Sequence, residues 1–342
     1  MSSADERPLA VGIDIGGTKT AAGLVTMRGE VRRRAEVPTP AADGAEAVLA
    51  TAARLAAELV DGSADPVSAI GIGAAGVIDP RRRLVLSATD TLPGWSGMRV
   101  GDRVETALGL PVAVDNDVRA HAVGEARFGA GRGLSSALVI AAGTGVGGAL
   151  VLDGHPQQGA TGIAGHFGHI PSVEAQGLPC TCGRSGHLEV IASGPAVLAA
   201  YRRAGGGGEA GDTRAVFELA EGGDPAALAA IRTAGRALGG AIGGLVNALD
   251  PEVVIVTGGL SHTSALWWGP LRDGFGEEAI DLVRSCPLTP AALGADAAII
   301  GAAALAFDLV AERMRSGIPS SAGSADRGIL PDPRSRNLGG SA

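Results

Sequence analysis

Apolar and polar positions along the chain fall into a repeating pattern of short apolar runs closed by glycine turns. Leu9-Ala10-Val11-Gly12-Ile13 meets Asp14, turns through Gly16-Gly17-Thr18 and resumes apolar from Ala21 to Val25, which predicts a hairpin. Gly29 marks a second turn before a third strand over 30–37, and the Ala/Leu-rich residues 44–60 predict a helix. Val67 to Gly73 reads as a buried strand leading to Ala74-Ala75-Gly76. Val112-Ala113-Val114 reads as a shorter one that ends at Asp115-Asn116-Asp117, with a helix over 118–128.

The second half repeats this pattern. A strand over 136–142, a turn at Gly143-Thr144-Gly145-Val146-Gly147-Gly148 and a strand over 149–152 mirror the first hairpin. A long helix (226–249), a buried strand (253–256) closed by Gly258-Gly259 and a last helix (297–313) follow. Strands alternating with helices predict an α/β fold with a largely buried sheet. Two related strand–turn–strand units suggest a duplicated domain with a cleft between halves. Residues 316–342, rich in Ser, Gly, Pro and Arg without periodicity, are expected to form a disordered tail.

Composition narrows the classes. Aromatic residues are only 3%, so Ala, Val, Leu and Ile must build the core. The formal net charge of −8 argues against a nucleic-acid binder, which needs a basic face. The first seven residues carry acids where a signal peptide needs a basic stretch, and no apolar run reaches the ~18 residues of a membrane span. A cytoplasmic protein without a membrane partner is expected.

Each glycine turn can aim successive N–H groups at a phosphate. Neither is a Walker A loop, and neither has the helix a dinucleotide fingerprint requires. Asp14 is placed to hold a metal-bound water. Of Asp115-Asn116-Asp117 one residue is expected to cap the following helix, while a carboxylate at a strand end suits acceptance of a hydroxyl proton. Among the three cysteines, Cys286 reads as an inert buried thiol. Cys180 and Cys182, with His169 and His187, make a closed set of two thiolates and two imidazoles, as expected of structural zinc. His166 and Glu189 flank that set. The arginine runs 32–34 and 81–83 are expected to be solvated, and Trp267-Trp268 to serve packing or an interface rather than sugar stacking.

These residues resemble the ROK family (repressor, open reading frame, kinase) over about residues 10–312. Ile13 to Lys19 looks like its first phosphate motif, Gly143 to Gly148 like its second, and Val256-Thr257-Gly258-Gly259 like its adenosine motif. Gly165-His166-Phe167-Gly168-His169 with the 180–189 loop looks like its signature and zinc region. The resemblance implies an actin-like ATPase (ribonuclease H-like) fold, with a smaller domain (9–117 plus 298–313) and a larger one (118–297) carrying a zinc loop at 165–190. It implies ATP and Mg²⁺, and phosphate or nucleotide contacts from Asp14, Gly16, Gly17, Thr18, Lys19, Thr144, Gly145, Gly258 and Gly259. Asp117 is implied as the base for the sugar 6-hydroxyl. Gly76, Asn116, His166, His169 and Glu189 are implied as sugar contacts, and a homodimer as the assembly.

Two positions depart from the family pattern. His187 stands where a third cysteine is usual, and His166 where family glucokinases have glutamate. Neutral imidazole can donate one hydrogen bond and accept one, so the change alters recognition around the sugar's C1 and C2. A similar Gly-His-x-Gly-His pattern in some bacterial N-acetylmannosamine kinases favours that sugar over glucose or another amino sugar. A ROK transcriptional regulator is disfavoured, because about ten residues precede Gly12 and a winged-helix domain does not fit there.

Overall fold

The computed structural model describes residues 8–88, 92–207 and 210–316. Residues 1–7 and most of the expected tail lie outside them. Strand β1 (Leu9–Ile15) runs antiparallel to β2 (Lys19–Val25), with Asp14 opposite Ala21, and β2 continues to β3 (Val31–Pro38). Helix α1 (Ala45–Asp61) lays Val48, Leu49, Ala52, Leu55, Ala56 and Leu59 on the sheet, the stripe expected of a one-sided helix. Strand β4 (Val67–Ala74) pairs parallel with β1. A ribbon of β5 (Val77–Asp79) and β6 (Leu84–Ser87), then α2 (Val100–Leu108), lead to β7 (Val112–Asn116) beside β4.

Helix α3 (Asp117–Phe128) leads to the second sheet. There β8 (Ser136–Ala142) pairs antiparallel with β9 (Val146–Leu152), which continues to β10 (His155–Pro156). Helices α4 (Glu189–Ala192), α5 (Gly194–Arg203), α6 (Thr213–Glu221) and α7 (Pro225–Leu249) precede β11 (Val253–Thr257), which is parallel to β8. Then come α8 (Ala265–Glu278), β12 (Leu288–Pro290) and α9 (Ala297–Arg315), which returns to the first sheet. The orders β3-β2-β1-β4-β7 and β10-β9-β8-β11-β12 carry the same sequence of antiparallel and parallel pairings. The expected duplication is therefore present in the topology.

Backbone meets backbone where α9 returns. A Cβ on Gly71 would sit 1.7 Å from the Ala302 carbonyl oxygen, and one on Gly301 1.7 Å from that of Ala120. Glycine is what lets α9 lie on β4 and cross α3 this closely. Residues 294–315 are long and on average apolar enough to cross a bilayer, although Asp296 and Asp308 interrupt the apolar run, and half of the most apolar window is buried inside the protein.

Other differences have local causes. Strand β9 starts at Val146 rather than 149, because Gly147 and Gly148 pair with Ala141 and Ile140. A Cβ on Gly148 would lie 2.8 Å from the Phe167 ring, so that glycine serves packing rather than a phosphate turn. The sequence reading did not predict α2, α4–α6 or α8. Trp267 and Trp268 are buried at 5.5 Å between ring centroids, which makes them packing residues. Cys286 is partly buried, bonds to the Pro251 carbonyl, and burial pushes its thiol pKa up.

Candidate active site

The strand ends of the two sheets meet around a cleft of about 370 Å³. From the first sheet it is lined by Gly76, after β4, and by Asn116 and Asp117, where β7 becomes α3. Gly76 has φ +102° and a Cβ there would meet the Ser87 carbonyl at 2.6 Å, so only glycine fits this corner. Asn116 caps α3 by accepting from Arg119 N–H at 3.2 Å. Its amide nitrogen donates to the Gly76 carbonyl at 2.9 Å and to Asp117 Oδ1 at 2.7 Å. Val118 N–H also donates to that oxygen, at 2.9 Å. Asp117 is thus fixed through Oδ1, at the lining of the cleft.

Burial holds the Asp117 carboxyl above its ordinary pKa, against the lowering effect of those bonds. Asp14, at the end of β1, is pushed up to about 7, first by burial and then by the negative charge of Asp117. The charges of Asp14 and Asp117 thus act on each other, but of the two only Asp117 lines the cavity. The Gly16–Lys19 turn beside them is tight, with Gly16 N–H on the Lys19 carbonyl at 3.1 Å and Thr39 Oγ1 on the Gly16 carbonyl at 2.8 Å. Gly16, Gly17, Thr18 and Lys19 do not line the cleft cavity; the Lys19 ammonium turns instead to Glu36, at 3.4 Å. Arg81 and Arg82 are exposed, as expected of solvated turn residues, but Arg83 is partly buried and pairs with Asp102 and Glu105. Arg32–Arg34 lie on the edge strand β3, and Arg34 pairs with Glu36 and Asp296.

The second half contributes Thr144, Gly145, His166, Glu189 and Gly258 to the same cavity. Glu189 opens α4, and its Oε2 accepts Val146 N–H at 3.0 Å. His166 Nδ1 lies 2.8 Å from the Ile163 carbonyl oxygen, a contact that assigns the proton to Nδ1. Burial lowers the ring's pKa, so the neutral form presents Nε2 as an acceptor only. The expected ability both to donate and to accept toward a ligand is therefore reduced to accepting.

His169, expected among the sugar contacts, does not line the cavity. Its ring stacks on that of His166 at 6.3 Å and interplanar 19°, with Nδ1 3.6 Å from Cys180 Sγ. Cys182 Sγ lies 3.3 Å from His187 Nδ1, and the donor atoms of His169, Cys180, Cys182 and His187 all lie within 4.8 Å of one another. Ligands about 2.0–2.3 Å from a tetrahedral zinc are separated by roughly 3.3–3.8 Å, so the donor set fits the ion in chemistry, and the His169–Cys180 and Cys182–His187 pairs fit it in spacing.

A second cavity, of about 610 Å³, shares Gly143 and Thr144 with the cleft. It is otherwise lined by residues such as Pro195, Arg214, Phe217, Gly259 and His262. Arg214 and Phe217 escaped the sequence reading because α6 did. The signal was present: Asp212 caps it, accepting Ala215 N–H at 2.9 Å, ahead of an alternation that buries Val216, Phe217 and Ala220.

Residues 10–308 match the model of the ROK family. The chain belongs to the ROK family. It is 32% identical over 312 residues to a glucokinase of Thermotoga maritima, covering 86% of this chain and 96% of that protein. It is 30% identical over 303 residues to an N-acetylmannosamine kinase of Haemophilus influenzae, covering 88% and 96%. The fold is similar to that of a ROK glucokinase from Streptomyces griseus solved with glucose and AMPPNP, at TM-score 0.75 and 35% identity over 88% of this chain and all of that one. The two duplicated sheets are those of the actin-like ATPase fold common to ROK proteins.

Proposed function

We propose that this ROK-type sugar kinase transfers the γ-phosphoryl group of ATP to the 6-hydroxyl of an amino sugar, with N-acetylmannosamine the first candidate. One observation carries the reading. Gly76, Asn116 and Asp117 from one sheet converge with Thr144, Gly145, His166 and Glu189 from the other on a single cleft, and that cleft adjoins a cavity of a size to hold a nucleoside.

In this reading the Asp117 carboxylate accepts the hydroxyl proton as the sugar oxygen bonds to the γ-phosphorus, and the bond from that phosphorus to the β-bridging oxygen breaks to release ADP. Its raised pKa makes Asp117 a better base than a solvated carboxylate, and Asn116 keeps it aimed. Backbone N–H groups of the Thr144 turn hold the phosphates, and the second cavity takes the adenosine between the α6 side chains and Gly259. Asp14 would help to hold a Mg²⁺ ion, which would supply charge neutralisation to the phosphates. His169, Cys180, Cys182 and His187 would hold a structural Zn²⁺, which would fix the loop that carries His166 and Glu189.

The neutral acceptor at His166 suits the N–H of an acetamido group. It also suits a plain hydroxyl, so glucose is the second reading, supported by the glucokinase relatives. The test is an ATP-consumption assay over N-acetylmannosamine, N-acetylglucosamine, glucosamine, glucose and mannose, with Asp117→Asn alongside. Highest kcat/KM for N-acetylmannosamine and loss of turnover in Asp117→Asn are expected. Preference for glucose overturns the sugar assignment, and an active Asp117→Asn enzyme overturns the base.

A further inference from the structure

The sugar-side groups of the cleft come from two halves, and a buried arginine that the proposed mechanism does not use ties those halves together. Arg119 sits in the first turn of α3 and is 1% exposed. Its guanidinium reaches three separate segments. Nε donates to Asp115 Oδ1 at 2.5 Å, Nη2 to the Ile78 carbonyl on β5 at 3.2 Å, and Nη1 to the Gly162 carbonyl at 2.8 Å. Asp115 is equally buried, and its other oxygen accepts Gln158 Nε2 at 3.4 Å. Gly162 and Gln158 belong to the glycine-rich segment that links β10 to His166.

That segment has little apolar content of its own. Gly159, Gly162 and Gly165 all have positive φ, and a Cβ on Gly162 would lie 2.7 Å from the Ile78 carbonyl oxygen. Its position therefore depends on what it is fastened to. Directly after Gly162, Ile163 offers the carbonyl that orients the His166 imidazole. Asp115 also accepts Asn116 N–H at 2.7 Å, so the same ion pair fixes the residue that aims Asp117.

We infer that Arg119 is a positioning residue for sugar recognition: its planar fork fastens the 157–165 segment, and with it His166, to the strand ends that carry Gly76 and Asn116. The inference rests on the sugar-kinase reading of this cleft but not on which sugar is used. A lysine retains the positive charge near Asp117 but lacks the fixed fork that serves Asp115, Ile78 and Gly162 together. Small displacements of a binding group weaken the interactions it makes without altering groups elsewhere in the site.

The experiment compares Arg119→Lys and Gln158→Ala with the unaltered enzyme, on whichever sugar it turns over best. Arg119→Lys is expected to raise the sugar KM by about tenfold or more and, through Asn116, to lower kcat, while the ATP KM stays within about twofold, because only the fork is lost. Gln158→Ala, which removes one bond to Asp115 and no buried charge, should raise the sugar KM alone, by a smaller factor. Should Arg119→Lys fail to fold, Gln158→Ala decides, and an unchanged sugar KM in it overturns the inference. Equal changes in both KM values, or a drop in melting temperature with unchanged kinetics, also overturn it. Asp117→Asn in the same series separates the two readings: if it is inactive while sugar KM ignores Arg119, the site stands and the positioning role does not.

Discussion

Glu189 Oε2 accepts the Val146 backbone N–H at 3.0 Å, so the residue that opens α4 also holds the far end of the Gly143–Val146 turn. The proposed sugar and phosphate sites are joined at this carboxylate.

Glu189→Gln keeps an oxygen that can accept from Val146 but loses the charge. It should weaken sugar binding, as a sugar KM raised about tenfold, with the ATP KM little changed, because a charge-assisted hydrogen bond is about twice as strong as a neutral one. Glu189→Ala removes the turn's support too, and both KM values should rise. Steady-state kinetics with each substrate varied in turn distinguishes the two patterns.

The cysteine–histidine cluster makes a separate prediction. Purified protein should carry one zinc per chain by elemental analysis, and Cys182→Ser should lose it. Structural zinc contributes folding free energy, so a strong chelator should lower the melting temperature by several degrees. The sugar KM should rise with zinc loss, because His166 and Glu189 flank the metal loop. A protein that purifies without zinc, or keeps its melting temperature in chelator, contradicts the assignment.

Much of this architecture is legible in the chain because its signals are local. Asp14 with its glycine turn, Asp115-Asn116-Asp117 and the Cys180–His187 loop each lie within a few residues, so spacing alone announces them. What stays hidden depends on distance or on masked periodicity. Arg119 meets Ile78 and Gly162, 41 and 43 residues away, and nothing local marks it. Helix α8 contains Pro270, and α4 has only four residues, which leaves no period to detect. The hydrogen-bonding sense of His166 needed the Ile163 carbonyl in place before it could be read.

Close packing at α9 gives a prediction independent of chemistry. Gly301→Ala would drive a methyl group to 1.7 Å from the Ala120 carbonyl oxygen, which only a backbone shift can relieve. Overpacking of this kind costs about 1–3 kcal/mol, and the upper end is expected where the obstacle is backbone. Chemical denaturation should show a lower midpoint with an unchanged slope. Because α3 starts at Asp117, kcat should also fall in the folded fraction.

The Asp14 and Asp117 carboxylates predict how stability depends on pH in metal-free protein. Asp14 has a folded pKa of about 7 against an ordinary value of 3.8, raised mainly by burial and then by Asp117. The folded state therefore binds a proton more tightly than the unfolded chain does. The contribution of Asp14 to stability is greatest below pH 4, where both states are protonated, and declines as pH rises through the window that closes near 7. Asp14→Asn removes the charge that must be buried. Since the site is partly open to solvent, it should gain on the order of 1–3 kcal/mol at pH 8 and almost nothing at pH 4. Its kinase activity should fall sharply, because the proposed support for Mg²⁺ is gone. Melting temperatures of both proteins in EDTA across pH 4–8 test this: the curves should converge at low pH and separate steadily above pH 5, and parallel curves would mean that Asp14 carries no buried charge in the folded protein.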